Sequence, residues 1–368
     1  MNLYEYMGKE IFKKYGIPVP DGYVVSDINE IRPYQYPVAV KSQILSGKRG
    51  KSGGIKFAKS QEDLKEAAKT LLGATINGLK VNKLLIERMI NIKKELYLSI
   101  TLDRSSKGPL LMASPDGGMD IESVPDSRII KIKIDPLMGY SDYISREVSE
   151  FLGLSGSLKS QLGTLIGLLY NAFKKEDSLL MEINPLIIDS SDNIIAGDSK
   201  VIIDDSSLYR HKEYIFPDPE KTELENESAS KSFTFIEMDG DIGVIANGAG
   251  LTMATLDALT LHKLRPRNFL DLGGTDSTDI VEDAFSFVLR ADPKIFFVNI
   301  FGGVTKADTV ANGIVAAKNK FNIKQKIVVR LSGVHEDEGR RILMDNGIDA
   351  YSNMNDAINE LVKLNGGN

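Results

Sequence analysis

The segment VAVKSQILSGKRGKSGGIKF, residues 38–57, sets Lys41, Lys48, Arg49, Lys51 and Lys56 among Gly47, Gly50, Gly53 and Gly54. Glycine lets a backbone turn tightly enough to bring N–H groups up to an anion, and the cations neutralise it. The competing reading is a solvated hairpin tip. No aromatic side chain interleaves the cations, so nothing here would stack bases. The phosphates of a single nucleotide are the ligand that fits. The spacing does not meet G-x-x-x-x-G-K-[ST], which disfavours a P-loop.

A second group lies in LLMEINPLIIDSSDNIIAGDSKVII, residues 179–203. Glu182 and Asn184 stand two apart and so share one face of a strand. If Ser190-Ser191-Asp192 reverses the chain, Asp189 falls opposite Asn193, Asn184 opposite Asp198 and Glu182 opposite Lys200. Facing residues have Cβ atoms about 4.5–5.5 Å apart. An amide oxygen and a carboxylate at that separation suit Mg²⁺, which keeps several waters and completes its shell with nucleotide phosphates. The alternative is that Asp198 and Lys200 are surface residues near a turn. In KLLIERMINIKKEL, Glu87 ends one strand and Glu95 opens the next. Such a carboxylate either accepts hydrogen bonds from an adenine amino group or ribose hydroxyls, or is a solvated charge.

In the second half each expected strand runs into a small-residue turn: Asn247-Gly248-Ala249-Gly250, Gly273-Gly274, Phe301-Gly302-Gly303 and Ser332-Gly333. Ligands of open α/β sheets sit beyond the carboxyl ends of the strands, where helix N-termini present N–H groups. The first and third turns read as anion sites. A helix end contributes about 0.3–2 kcal/mol to holding an anion, enough to orient it but not to perform chemistry. No G-x-G-x-x-G is present, so a dinucleotide fingerprint has no support.

These groups need a scaffold of two or three domains, since 368 residues are available at about 150 per domain. Hydrophobic residues make up 42% and charged residues 26%, an ordinary globular balance. With 45 Lys and Arg against 51 Asp and Glu, the net charge of −6 argues against a general polyanion binder. The absence of cysteine excludes thiol nucleophiles, Cys-ligated zinc and disulfides. Glu5 and Glu10 do not fit a signal peptide, and no apolar run approaches the roughly 18 residues of a membrane span, so a soluble, cytoplasmic protein is expected.

Residues 212–232, rich in Pro, Glu and Ser, read as an interdomain linker. Before it, a helix is expected near 3–15, strands at Tyr36 to Val40, Ile55 to Ala58, Leu84 to Met89, Glu95 to Leu102 and Pro109 to Ala113, helices within 61–73 and 142–175, and a hairpin from Leu179 to Ile203. That half is α+β with much antiparallel pairing. After it, strands at Ile242 to Ala246, Asn268 to Leu272, Ile295 to Ile300, Ile327 to Leu331 and Ile348 to Tyr351 alternate with helices, which predicts a doubly wound parallel sheet of flavodoxin-like order. The class is α/β, with domains at residues 1–225 and 236–368.

MNLYEYMGKEIFKKYGIPVP, the KSQ…GKRGKSGG loop, KELYL, DRSS, MEINPL, NGAGL and VNIFGG occur in this order along nearly the whole chain. By these motifs the chain closely resembles the β subunits of succinyl-CoA synthetases (succinate–CoA ligases), leaning to the ADP-forming kind. The resemblance implies an N-terminal ATP-grasp domain followed by a flavodoxin-like CoA-ligase domain, and a role in the tricarboxylic acid cycle. It implies that Lys41 contacts nucleotide phosphates, that Lys48, Arg49 and Gly50 form the phosphate-side loop, and that Glu87, Ile90 and Glu95 lie around the nucleotide. Asn184 and Asp198 match the Mg²⁺ ligands, Glu182 the catalytic carboxylate that steadies a phosphohistidine, and Asn247 with Gly303, Val304 and Thr305 the succinate-binding positions. The implied cofactors are Mg²⁺ and ATP or ADP, with GTP or GDP left open, and CoA enters through an α subunit. That α subunit and succinate are the implied partners, in an αβ or α2β2 assembly, with no nucleic acid and no membrane.

Three departures from the family pattern stand out. Its GGRG is here Gly47-Lys48-Arg49-Gly50, a commonly Thr position is Ile90, and its GGGA turn is Gly273-Gly274-Thr275-Asp276. The resemblance also implies that phosphate passes from nucleotide to a histidine of the α subunit, then to succinate as an acyl phosphate that CoA displaces. The histidines of this chain are His211 near the linker, His262 in an expected helix and His335 at an expected helix start. None lies in a Gly-rich phosphate-accepting context, His335 coming nearest. Malate or another small acid in place of succinate stays open, because such selectivity rests on one or two contacts. A self-sufficient carboxylate–amine ligase would leave the second sheet without a role, and a non-catalytic nucleotide sensor is at odds with Lys41, Asn184 and Asp198.

Overall fold

The computed structural model describes residues 1–45 and 52–366. Lys48, Arg49 and Gly50 of the expected phosphate-side loop lie outside the described residues. The chain divides into two units, Met1–Phe216 and Pro217–Asn368.

The first unit contains α1 (Glu5–Lys14), β1 (Gly22–Val25), β2 (Val38–Ser42), β3 (Ile55–Ala58), α2 (Gln61–Leu71), β4 (Thr75–Ile76), β5 (Leu79–Lys80), β6 (Leu84–Arg88), β7 (Ile92–Asp103), β8 (Gly108–Ser114), β9 (Ile130–Lys133), α3 (Asp142–Phe151), α4 (Gly156–Lys175), β10 (Ser178–Asp189), β11 (Ile194–Ala196) and β12 (Lys200–Ile203). One sheet has the order β1-β6-β2-β3, and a second runs β11-β10-β7-β8-β9 with β12 also on β10. In α2, Leu64, Ala67, Ala68 and Leu71 recur at helical spacing and are buried, and Ser60 caps the start by accepting from Asp63 N. Leu162, Leu165, Ile166 and Leu169 of α4 share a core with Leu96, Leu98, Ile100, Met181 and Ile183 of the long strands β7 and β10. The strand expected from Tyr36 begins instead at Val38, after Pro37, which has no N–H for a ladder. The span 142–175 holds two helices, separated where Gly153 takes φ +68°. The strands β1 and β9 were not expected, because four residues such as GYVV or IKIK give too short a pattern.

The second unit contains α5 (Glu223–Ser228), β13 (Thr234–Glu237), β14 (Ile242–Ala246), α6 (Ala249–Leu261), β15 (Asn268–Asp271), α7 (Thr278–Arg290), β16 (Ile295–Gly302), α8 (Ala307–Lys320), β17 (Lys326–Gly333), α9 (Glu336–Asp345), β18 (Asp349–Tyr351) and α10 (Met354–Leu364). Its sheet has the order β13-β15-β14-β16-β17-β18. The five parallel strands therefore follow the flavodoxin-like order 2-1-3-4-5, and β13 adds an antiparallel edge. Val281, Phe285, Val310 and Ile314 pack on one face of the sheet, and Leu259, Ala357, Ile358 and Leu361 on the other.

The boundary expected between residues 225 and 236 needs correction. The division falls at Phe216/Pro217, and α5 packs through Leu224 on the core of the second unit. Thr222 and Glu225 form a capping box that starts this helix inside an otherwise linker-like composition. Among the described residues, no helix is long and apolar enough to cross a membrane.

Candidate functional site

In the first unit four charged side chains from three elements meet in a buried cluster. Lys9 Nζ on α1 lies 2.8 Å from Glu5 Oε1 and 2.6 Å from Glu87 Oε1. Lys41 Nζ on β2 lies 2.8 Å from Glu5 Oε1 and 2.9 Å from Glu87 Oε2. Both ammonium groups also donate to the carbonyl of Gly197 at 2.9 Å. The side chains of Lys9 and Glu87 are 4% and 2% exposed, whereas that of Lys41 is 14% exposed. Burial opposes the charge on Lys41, but Glu5, Glu87 and Asp198 outweigh it and hold its pKa above the ordinary lysine value. The carboxylate of Glu87 is occupied by two ammonium groups and is not a solvated strand end. Glu5 and Lys9 were not singled out from sequence, because an i,i+4 Glu–Lys pair usually marks an exposed helix face.

The pairing of the hairpin is the expected one. Leu186 faces Ala196 and Ile188 faces Ile194 on one side, while Glu182 faces Lys200 on the other. The bond from Asp189 N to Asn193 O closes the turn at 3.0 Å. Asn184 and Asp198 fall in the same register between these two ladders. Asn184 Oδ1 accepts from Gly118 N and its Nδ2 donates to Met119 O, each at 2.8 Å. This amide is thereby fixed in direction, while its oxygen keeps a second lone pair. Asp198 Oδ1 accepts from Ser199 N at 2.7 Å. One amide oxygen and one carboxylate make a sparse, hard-oxygen set that fits Mg²⁺, which takes its remaining ligands from water and phosphate.

Glu182 accepts from the Tyr97 hydroxyl at 3.1 Å. Burial raises its pKa above the ordinary value, Glu122 and Asp120 add to the rise, and Lys200 and Tyr97 oppose it. The half-buried Ile90 lines a cavity of about 270 Å³ with Val19, Pro20, Met89 and Ser190. Glu95 pairs with Ile187 across β7 and β10. Gly118 takes φ +73° beside it, a backbone conformation that favours glycine.

In the second unit the turns at the carboxyl end of the sheet are stitched together. Asn247 Oδ1 accepts from Phe301 N at 2.9 Å, and Asn247 Nδ2 donates to Phe301 O at 3.0 Å. Asp271 Oδ1 accepts from Gly248 N at 2.5 Å and from Gly273 N at 2.8 Å. Gly248 caps α6 at φ +87°, a conformation that favours glycine. Gly303 N donates to Thr305 O at 3.1 Å, Val304 is 79% exposed and Thr305 is buried. Ser277 stands at the N-cap position of the helix after the turn that departs from GGGA, without a capping bond from its side chain.

The histidines are all engaged. His211 Nε2 lies 2.8 Å from Asp177 Oδ2, His262 Nδ1 lies 2.9 Å from Ala258 O, and His335 Nδ1 lies 3.0 Å from Asp308 Oδ2. His262 is the residue just after α6, not within it, and His335 begins α9 as expected. Two acidic groups with histidine, Glu176–His211–Glu213 and Asp308–His335–Glu338, are also present. In the first, Glu176 already accepts from Lys14, Tyr15 and Tyr214, and neither includes the hairpin residues.

Comparison with known proteins places both units. Residues 2–188 match the ATP-grasp domain family and residues 245–362 the CoA-ligase family. The chain is 42% identical over 374 residues to the succinate–CoA ligase [ADP-forming] subunit beta of Ignicoccus hospitalis, covering 99% of each chain. It is 40% identical to the same subunit of Staphylothermus marinus, over 99% of this chain and 98% of that one. The chain belongs to the succinate–CoA ligase β-subunit family. It is a ligase whose first unit is a nucleotide-binding ATP-grasp domain. The fold is also that of ATP citrate lyase from Methanothrix soehngenii, solved with citrate and coenzyme A, at a TM-score of 0.77 and 19% identity over 95% of each chain. At that identity the likeness speaks for the fold alone.

Proposed function

We propose that the chain is the nucleotide- and acid-binding subunit of an ADP-forming succinate–CoA ligase. It works in the cytoplasm with an α subunit to interconvert succinyl-CoA, ADP and phosphate with succinate, CoA and ATP. The observation that carries the reading is the contact of Lys41 with the hairpin: its half-buried ammonium donates to Gly197 O at 2.9 Å, beside Asp198, whose register partner is Asn184.

Lys41 is the member of the ion cluster nearest solvent. When it turns to a phosphate, Lys9 stays on Glu5 and Glu87, so those buried carboxylates are not left without a cation. Lys48, Arg49 and Gly50 cradle the phosphates, and Glu87, Ile90 and Glu95 border the nucleotide. Asn184 and Asp198 would hold Mg²⁺, which when bound screens the phosphate charge. Glu182 accepts a hydrogen bond from the imidazole of the partner and steadies its positive charge as it takes up phosphate. In the second unit, Asn247 and the Gly303-Val304-Thr305 turn direct N–H groups at a carboxylate of succinate.

The test is to purify the chain with its native partner and assay nucleotide turnover that depends on CoA and acid, comparing succinate with malate and ATP with GTP. The reading expects succinate and ATP to be preferred. A preference for malate would move the protein to another acid–CoA ligase, and turnover by the chain alone would overturn the subunit role. The mass of the active complex decides between αβ and α2β2.

A further inference from the structure

The turn after β15 is where the chain departs from GGGA, and the residues that differ reach across to the turn after β16. Thr275 N donates to the buried Thr305 Oγ1 at 3.2 Å, while Thr275 Oγ1 accepts from Ser277 N at 3.2 Å. Asp276 Oδ2 accepts from Lys306 Nζ at 2.7 Å, and Asp276 Oδ1 accepts from Thr309 Oγ1 at 2.7 Å. Lys306 is the N-cap of α8 and Thr309 lies in its first turn. One carboxylate therefore holds both sides of the helix start into which Gly303-Val304-Thr305 feeds. A glycine and an alanine at positions 275 and 276 could supply neither the carboxylate nor the hydroxyl.

We propose that Asp276 is a positioning residue for the acid-binding turn, and that it sets acid affinity by fixing the direction of that turn's N–H groups before the acid arrives. The inference deepens, and rests on, the reading of Gly303-Val304-Thr305 as an acid site. A turn that recognises a carboxylate through backbone N–H groups gains affinity when it is already ordered, because ordering on binding subtracts from the interaction. The ion pair also keeps the Lys306 ammonium on Asp276, so the acid meets N–H groups and not a mobile cation.

The test uses the complex with the partner subunit and the variants Asp276→Ala and Asp276→Asn. Three quantities are read: the KM and the kcat for the acid that the wild type uses, and labelling of the partner by ATP without acid. The side chains of Asp276 and Lys306 are both partly exposed, so Asp276→Ala should raise the acid KM about fivefold, the upper end for an exposed ion pair, and change kcat by less than about twofold. Asp276→Asn keeps an oxygen for Thr309 and should lose less. Labelling by ATP should be unchanged in both. An unchanged KM in Asp276→Ala, an equal fall in labelling, or an Asn variant no better than the Ala variant would overturn the proposal. A wild-type complex that labels its partner yet consumes no small carboxylic acid would overturn the underlying acid-site reading, and this inference with it.

Discussion

Lys9 Nζ approaches Glu87 Oε1 to 2.6 Å and Oε2 to 2.8 Å, with both side chains almost wholly buried. Removing one cation from such a cluster leaves a carboxylate desolvated and under-neutralised, which costs about 3–5 kcal/mol. Lys9→Met should therefore lower unfolding stability by that order in urea titration, and Lys9→Arg by less. A loss below about 1 kcal/mol, the range of an exposed pair, would show that the cluster is not a buried one.

Lys41 and Lys9 share the same three partners but should differ in function. Lys41→Met is expected to weaken binding of ATP and to leave adenosine binding little changed, because only the phosphates need the ammonium. Calorimetric titration of both ligands checks this, and equal losses would assign Lys41 a structural role alone.

The hairpin makes a separate prediction about metal. Asn184→Ala and Asp198→Ala should each weaken Mg-ATP binding tenfold or more, equivalent to about 1.4 kcal/mol, and should change metal-free ATP binding far less. Unchanged Mg-nucleotide affinity in both variants would contradict the ligand assignment. The circular dichroism of both should match the parent, since neither side chain belongs to a hydrophobic core cluster.

Glu182 links acidity to stability. Its folded pKa is raised, so between the ordinary glutamate value of 4.5 and the higher folded value the native state binds more protons than the unfolded state. Stability contributed by the protonated form is full below that window and is lost as pH rises through it. Glu182→Gln should accordingly match the wild type in stability at acidic pH and gain on it as pH rises towards neutrality. The same variant should slow phosphorylation of the partner by about 10²-fold, the low end of what a positioned proton-handling group contributes. A variant destabilised at neutral pH would contradict the burial argument.

Much of this was legible in the sequence because it depends on local rules. The period-two face that joins Glu182 to Asn184, together with one turn assignment, sets the facing residues of a whole hairpin, and the structure has that pairing. The alternation of strands and helices after residue 240 likewise predicts a parallel sheet, whose order the structure gives as 2-1-3-4-5. What escaped depends on tertiary closeness. Glu5 and Lys9 look like an exposed helical pair until β2 and β6 close over them. Tyr97 becomes a partner of Glu182 only because β7 lies beside β10. Asp276 faces Lys306 only once two turns thirty positions apart in the chain sit at one end of a sheet.

Gly248 probes the second unit by itself. Its φ of +87° strains any residue with a Cβ, and it begins the helix whose N–H groups are proposed to face the acid. Gly248→Val should impair transfer to the acid while leaving ATP-dependent labelling of the partner intact. A parallel loss of both steps, followed with rapid-quench measurements, would show general damage instead.

On the proposed division of labour, this chain supplies the sites for nucleotide and acid while its partner supplies the phosphorylated histidine. His211, His262 and His335 are held by Asp177, Ala258 and Asp308 respectively. The decisive measurement is to incubate the chain with γ-labelled Mg-ATP, alone and with its α subunit, and to quantify acid-labile phosphate on each polypeptide. The isolated chain should bind nucleotide but carry no label, and label should appear on the partner once it is added. Label on His211, His262 or His335 of the chain alone would contradict this division of labour.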